Sequence, residues 1–96
     1  MSKKEELEEY QKNLVQFLKN KFCSPYKVAG KEVTRNVYAD QCGVAGSTLT
    51  RIKEGNGYDV PISTIYKLCT FEDITVKDFF TEFSKWLKSH EEKRKE

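Results

Sequence analysis

Residues 34–55 read TRNVYADQCGVAGSTLTRIKEG, and the pattern in this stretch decides the fold. Val37, Tyr38, Cys42, Val44, Leu49 and Ile52 supply apolar positions at helical spacing. Ala39 and Gly43 put small residues where two crossing helices come closest, since a larger side chain would push the axes apart. Thr34 is a good N-cap, its hydroxyl able to accept from an early backbone N–H. Gly43 falls where the chain must leave the first helix, a point that often needs positive φ. Val44 then plugs the turn. Ser47 is placed to cap the second helix, whose Leu49 and Ile52 at i and i+3 face inward. That leaves Ser47, Thr48, Thr50 and Arg51 on the outer face. Gly55, Asn56 and Gly57 end the helix with residues suited to left-handed backbone. The stretch therefore predicts two short helices joined by a tight turn, a helix-turn-helix over 34–55.

On Ala39, Gly43-Val44, Ser47-Thr48-Leu49, Arg51-Ile52 and Gly55, the chain resembles the lambda repressor/Cro-like (XRE family) helix-turn-helix DNA-binding domains. The likeness extends through 62–80, where ISTIYKLC followed by ITVKDFF looks like the fourth and fifth helices of that family, and the pattern ending near Phe22 looks like the first. Three positions depart from the family's usual residues: Arg35 in place of Gln, Ala45 in place of Ser and Lys53 in place of Glu. A guanidinium at Arg35 suits a phosphate. Ala45-Gly46 removes the usual cap and leaves no side chain where the family often reads a base. The resemblance implies an all-α, five-helix lambda repressor-like DNA-binding domain with extended first and last helices.

The chain's 96 residues suit one small domain, 1–96, with a single core. Two prolines and five glycines leave little linker. No apolar run approaches the ~20 residues of a transmembrane helix, and the first nine residues hold no apolar signal core, so a cytoplasmic location is expected. Net charge is only +2, but its distribution is uneven. Lys19, Lys21, Lys27, Lys31 and Arg35 stand against Glu32 alone in 19–35. In 59–82, Asp59, Glu72, Asp73, Asp78 and Glu82 outnumber Lys67 and Lys77. A field of this shape steers a polyanion to one face. Cys23, Cys42 and Cys69 are odd in number and far apart, which predicts buried thiols rather than disulfides. His90, the one histidine, sits in a charged tail over 88–96, and no metal or other cofactor is expected.

Outside the central stretch, a first helix is expected from about residue 2, capped by Ser2 with Glu5 three residues on, to about residue 22. Its apolar stripe is Leu7, Tyr10, Leu14, Leu18 and Phe22, widened by Val15 and Phe17. Residues 24–33 contain Pro25 and Gly30 and no helical period, so they read as a loop. From it, Tyr26, Lys27 and Lys31 are placed to touch backbone phosphates, or else Tyr26 and Val28 cover the core edge. A second loop, 56–61, ends in Val60-Pro61, which enforces an extended residue before the fourth helix. Ile62, Ile65, Leu68, Cys69 and Tyr66 are expected to face inward from that helix. Thr75 caps the fifth, followed by Val76, Phe79, Phe80, Phe83, Trp86 and Leu87. This aromatic group is large for the chain length, which makes Phe83 and Trp86 candidates for a dimer interface. The tail 88–96 alternates in charge and is expected to fray.

The function implied is sequence-specific binding of double-stranded DNA by a small transcriptional regulator, a repressor. The recognition helix, about 47–54, enters the major groove. Ser47, Thr48, Thr50 and Arg51 are the candidate base contacts, with Arg51 able to pair bidentately with guanine. Arg35, Lys53, Asn56, Tyr58, Lys27 and Lys31 are the candidate phosphate contacts. One such domain covers one half-site, so a homodimer on half-sites about 34 to 36 Å apart is expected. The alternative is an antitoxin-like or other protein-interaction module with only weak, non-specific DNA binding. No paired carboxylates, activated nucleophile, phosphate loop or metal spacing stands out, so no enzyme is expected.

Overall fold

The structure is a computed structural model that describes residues 2–55 and 58–94, with side chains as far as His90. It is a mostly helical globule of five helices with one small hairpin: α1 Lys3–Phe22, β1 Lys27–Val28, β2 Lys31–Glu32, α2 Arg35–Cys42, α3 Gly46–Glu54, α4 Ile62–Phe71 and α5 Val76–Arg94. Among the described residues no helix is long and apolar enough to cross a membrane.

Three helices start where a hydroxyl can accept. Ser2 Oγ takes the Glu5 N–H at 3.2 Å, Thr34 Oγ1 that of Val37 at 3.3 Å, and Thr75 Oγ1 that of Asp78 at 3.0 Å. Each bond satisfies an amide that the helix itself leaves without a carbonyl, which fixes the start to one residue. α2 ends at Gly43 with φ 76°, where the Val44 N–H reaches back to the Ala39 carbonyl at 3.0 Å. α3 differs from expectation: its N-cap is Ala45, with no side-chain cap, and Ser47 lies inside the helix. A methyl cannot accept, so the missing cap is a direct consequence of alanine at that position.

The segment 24–33 is not a plain loop. Lys27 pairs with Glu32 and Val28 with Lys31 in an antiparallel hairpin, and the Val33 N–H extends it to the Tyr26 carbonyl at 3.0 Å. Ala29 and Gly30 turn it with φ of 53° and 79°, the positive pair that a two-residue turn matched to strand twist requires.

The core runs through all five helices. Val15 and Leu18 from α1, Tyr38 and Ala39 from α2, Leu49 and Ile52 from α3, Ile65 and Leu68 from α4, and Phe79 and Phe83 from α5 are buried together. α1 and α5 meet through aromatic rings: Phe17 lies 5.3 Å from both Phe79 and Phe83 and 5.6 Å from Trp86, and Phe22 stacks on Phe79 at 5.8 Å. Ring pairs of this kind contribute about 0.5–1.5 kcal/mol each beyond the area they bury. Phe83, only 1% exposed, is therefore core and has no surface to offer a second subunit; Trp86 is half-buried against Phe17 and Phe83 and stacks on His90 at 4.9 Å.

Other apolar positions lie outside the core. Leu7 and Tyr10 on α1, Val37 on α2, and Ile62 and Tyr66 on α4 are exposed. α1 is longer than the body it packs on, so its first turns find no partner for Leu7. On α4 the inward stripe is Thr64, Ile65, Leu68 and Cys69, which turns Ile62 and Tyr66 outward. Tyr38, fully buried, gives its hydroxyl to Glu72 Oε2 at 2.8 Å and so ties α2 to the end of α4. Lys21 and Glu82 pair at 3.0 Å across α1 and α5. Instead of fraying from residue 88, α5 continues through Arg94.

Candidate nucleic-acid interface

The inner side of α3 is anchored by Leu49 and Ile52, both with no exposure, and this fixes which residues can face out. Ser47, Arg51 and Lys53 are exposed; Thr48 and Thr50 are half-buried. Of the four residues assigned to base contacts, Ser47 and Arg51 thus stand clear on the surface and Thr48 stands partly so. Thr50 is committed within the chain: its hydroxyl donates to the Gly46 carbonyl at 3.2 Å and accepts from Arg35 Nη1 at 2.6 Å. Its one proton is thereby spent, which leaves a lone pair and the methyl for a partner. The hydroxyl takes this role because residue i−4 of the helix presents a carbonyl to it and the first residue of α2 reaches across the turn.

Arg51 rests over the ring of Tyr58, its guanidinium carbon 5.5 Å from the centroid. Such a contact at an exposed site stabilises by about 0.5–1 kcal/mol. A bidentate pair with guanine discriminates by about 1–3 kcal/mol. The ring therefore steadies the side chain without outcompeting a base. Tyr58, half-buried, acts as a rest for Arg51 as well as a candidate phosphate contact.

Arg35, Thr50, Lys53 and Glu54 come together with Tyr26 around an open cavity of about 270 Å³. The Arg35 guanidinium bonds Asn36 Oδ1 through Nε and Nη2, at 3.3 and 3.2 Å, and Thr50 through Nη1. Three of the five guanidinium N–H donors are engaged, which leaves two for an anion. Lys53 Nζ sits 5.1 Å from the centroid of the Tyr26 ring. Tyr26 is 6% exposed, lies 5.3 Å from Tyr38 ring to ring, and so covers the core edge rather than facing solvent. Lys27 and Lys31 project exposed from the hairpin. Asn56 lies outside the described residues.

The cavity is the feature the sequence did not reveal. Its walls come from the hairpin, α2 and α3, and the Tyr26–Lys53 and Arg35–Thr50 contacts that shape it span 27 and 15 positions in the chain. A signal for its floor was available: Tyr26 and Val28 alternate with Lys27 ahead of Ala29-Gly30, a strand pattern leading into a turn.

The three thiols are free and buried. Burial pushes Cys23 up to about 12 and Cys42 to about 11, and raises Cys69 as well, in each case chiefly because a thiolate would lose its hydration. They are packing groups rather than nucleophiles. No protein-family model, curated protein or solved structure matches the chain.

Proposed function

We propose that the chain is a lambda repressor/Cro-like DNA-binding domain that acts as a sequence-specific transcriptional regulator, a repressor, with α3 in the major groove. The observation that carries this reading is the α2–turn–α3 unit. A left-handed Gly43 turns the chain, Leu49 and Ile52 bury the inner side of α3, and Ser47 and Arg51 stand on its outer side with Thr48 partly so. Arg51 reads a guanine through O6 and N7, and Ser47 and Thr48 contact neighbouring base edges. Arg35 and Lys53 hold the sugar-phosphate backbone, joined by Lys27 and Lys31 from the hairpin, and fix register without reading sequence. A homodimer places two copies of α3 on a pseudo-palindrome.

The test is selection from a random double-stranded DNA pool by the purified protein at about physiological salt, with Arg51→Ala and Lys53→Ala beside it. The expected result is a palindromic motif. Arg51→Ala loses roughly 1–3 kcal/mol at one base position of it, while Lys53→Ala weakens all sequences alike and flattens the salt dependence. No enrichment, with weak binding that disappears as salt rises, refutes sequence reading and favours a protein-interaction module. The exposed Ile62 and Tyr66 on α4 and Leu7 on α1 are the surfaces that second reading would use.

A further inference from the structure

The first residue of α3, Gly46, has no side chain, although the N-terminal residues of a helix laid in the major groove are those that meet base edges. Its place is nevertheless filled. A Cβ on Gly46 would stand 3.2 Å from Asn36 Oδ1, 3.5 Å from Arg35 Nε and 3.8 Å from Arg35 Cζ, so two side chains from the start of α2 occupy the space that a side chain at 46 would take. Hydrogen bonds that begin at α3 hold them there. The Gly46 carbonyl accepts from Thr50 Oγ1 at 3.2 Å, Thr50 Oγ1 accepts from Arg35 Nη1 at 2.6 Å, and Asn36 Oδ1 accepts from Arg35 Nε and Nη2 at 3.3 and 3.2 Å. A guanidinium has only donors, so the atom the Asn36 amide turns towards it has to be the oxygen. The amide nitrogen makes no hydrogen bond among the described residues, and Asn36 is exposed. Its two N–H groups are the hydrogen-bonding capacity this side chain has left.

We infer that Asn36 is a further specificity-determining residue, which reads a guanine from above Gly46 in place of a side chain on α3. The inference rests on the major-groove reading proposed above. With Oδ1 engaged by Arg35, the amide offers donors alone. The bidentate pairing of asparagine with adenine needs the oxygen to accept from N6 while the nitrogen donates to N7, and the oxygen is already committed. Guanine presents acceptors at both N7 and O6, whereas cytosine presents a donor at N4 and is rejected. Arg35 keeps two N–H donors for a phosphate and gains a second task, as the positioning residue that fixes which way the Asn36 amide faces.

The experiment is selection of double-stranded DNA from a random pool by the full chain, with Asn36→Ala and Asn36→Asp beside the wild type and Arg51→Ala. The wild type is expected to enrich a guanine at a position other than the one that Arg51→Ala loses. Asn36→Ala should reduce the preference for that guanine about fivefold, which is what one neutral hydrogen bond contributes, and leave the Arg51 position as it was. Asn36→Asp keeps an acceptor for Arg35 and has no donors, so it should lose the same guanine while Arg35 stays braced. A residue that merely holds Arg35 against a phosphate behaves differently: Asn36→Ala then weakens all sequences alike, and Asn36→Asp retains the wild-type motif. Either of those results, or a motif unchanged in Asn36→Ala, overturns the assignment and leaves the DNA reading standing. A wild-type chain that enriches no motif overturns the DNA reading and this assignment with it. Asn36 is exposed and outside the core, so both variants should fold, which their helical ellipticity checks.

Discussion

Gly43 holds a backbone with φ 76°, and no atom lies within 4 Å of where a Cβ would stand. The cost of Gly43→Ala is therefore conformational alone, about 1 kcal/mol, without a clash to add to it. A thermal melt should show Tm lower by roughly 4–8 °C, and an unchanged Tm would mean that the turn tolerates alanine in a relaxed conformation. The thiols set a second residue-level expectation. In the unfolded chain they lose their protons near 9.0, while in the folded chain burial holds Cys23 to about 12 and Cys42 to about 11. Between these limits the unfolded state binds fewer protons than the folded one, so stability is fully present below pH 9 and declines as pH rises through 11 and 12. Denaturant melts at stepwise alkaline pH should show that decline, and replacing Cys23 by Ala should reduce its slope; a slope unaltered by the replacement would place the titration elsewhere. Single residues were also where the sequence was most legible. Thr34, Gly43, Thr75 and Ser2 act through backbone groups at most five positions away, so the reason for each lies within its own neighbourhood.

At the scale of elements, α3 is the helix without a cap. Ala45 has the extended backbone of an N-cap, φ −73° and ψ 142°, but no group that accepts a hydrogen bond. Ala45→Ser should supply one and raise stability by about 1 kcal/mol, measured as a higher urea midpoint with unchanged m-value. A midpoint that does not move would show that the first turn of α3 is held by its packing alone. The positions of the helices followed from periodicity, yet the side each helix turns inward did so only where another element lies opposite. Leu7 continues the stripe of α1 beyond the reach of the core, Tyr10 reaches it only through an edge-on contact with Phe83 at 5.4 Å, and Ile62 and Tyr66 fit an apolar pattern on α4 that Thr64, Ile65, Leu68 and Cys69 satisfy better. Period alone cannot say where a neighbour stops. The hairpin was hard to see for a related reason: its one alternating run, Tyr26-Lys27-Val28, is only three residues long, and its strands pair over just Lys27–Glu32 and Val28–Lys31. The outward display of Ser47 and Arg51 was legible from the Leu49–Ile52 spacing. The bond of Thr50 to Arg35 was not, because it crosses from one helix to another.

For the molecule as a whole, α1 and α5 form an aromatic seam that supports α2, α3 and α4, with overall dimensions of 40 × 22 × 22 Å. One such body presents one copy of α3. The proposed operator recognition requires two, so sedimentation at micromolar concentration should give a species of twice 11.2 kDa, either alone or once DNA is added. A monomer in both conditions would remove the homodimer from the proposal. Phe83 cannot supply that contact, being enclosed by the seam. Trp86, on the same seam, has a further use. It is the chain's single tryptophan, set between Phe17, Phe83 and His90. Selective excitation of the indole therefore observes the α1–α5 junction and nothing else, while circular dichroism averages over every helix. Coincident melting curves from the two signals would make the reading unit and its support one cooperative block; an indole transition that lags the ellipticity would show α2 and α3 dissolving first, from a scaffold that is still intact.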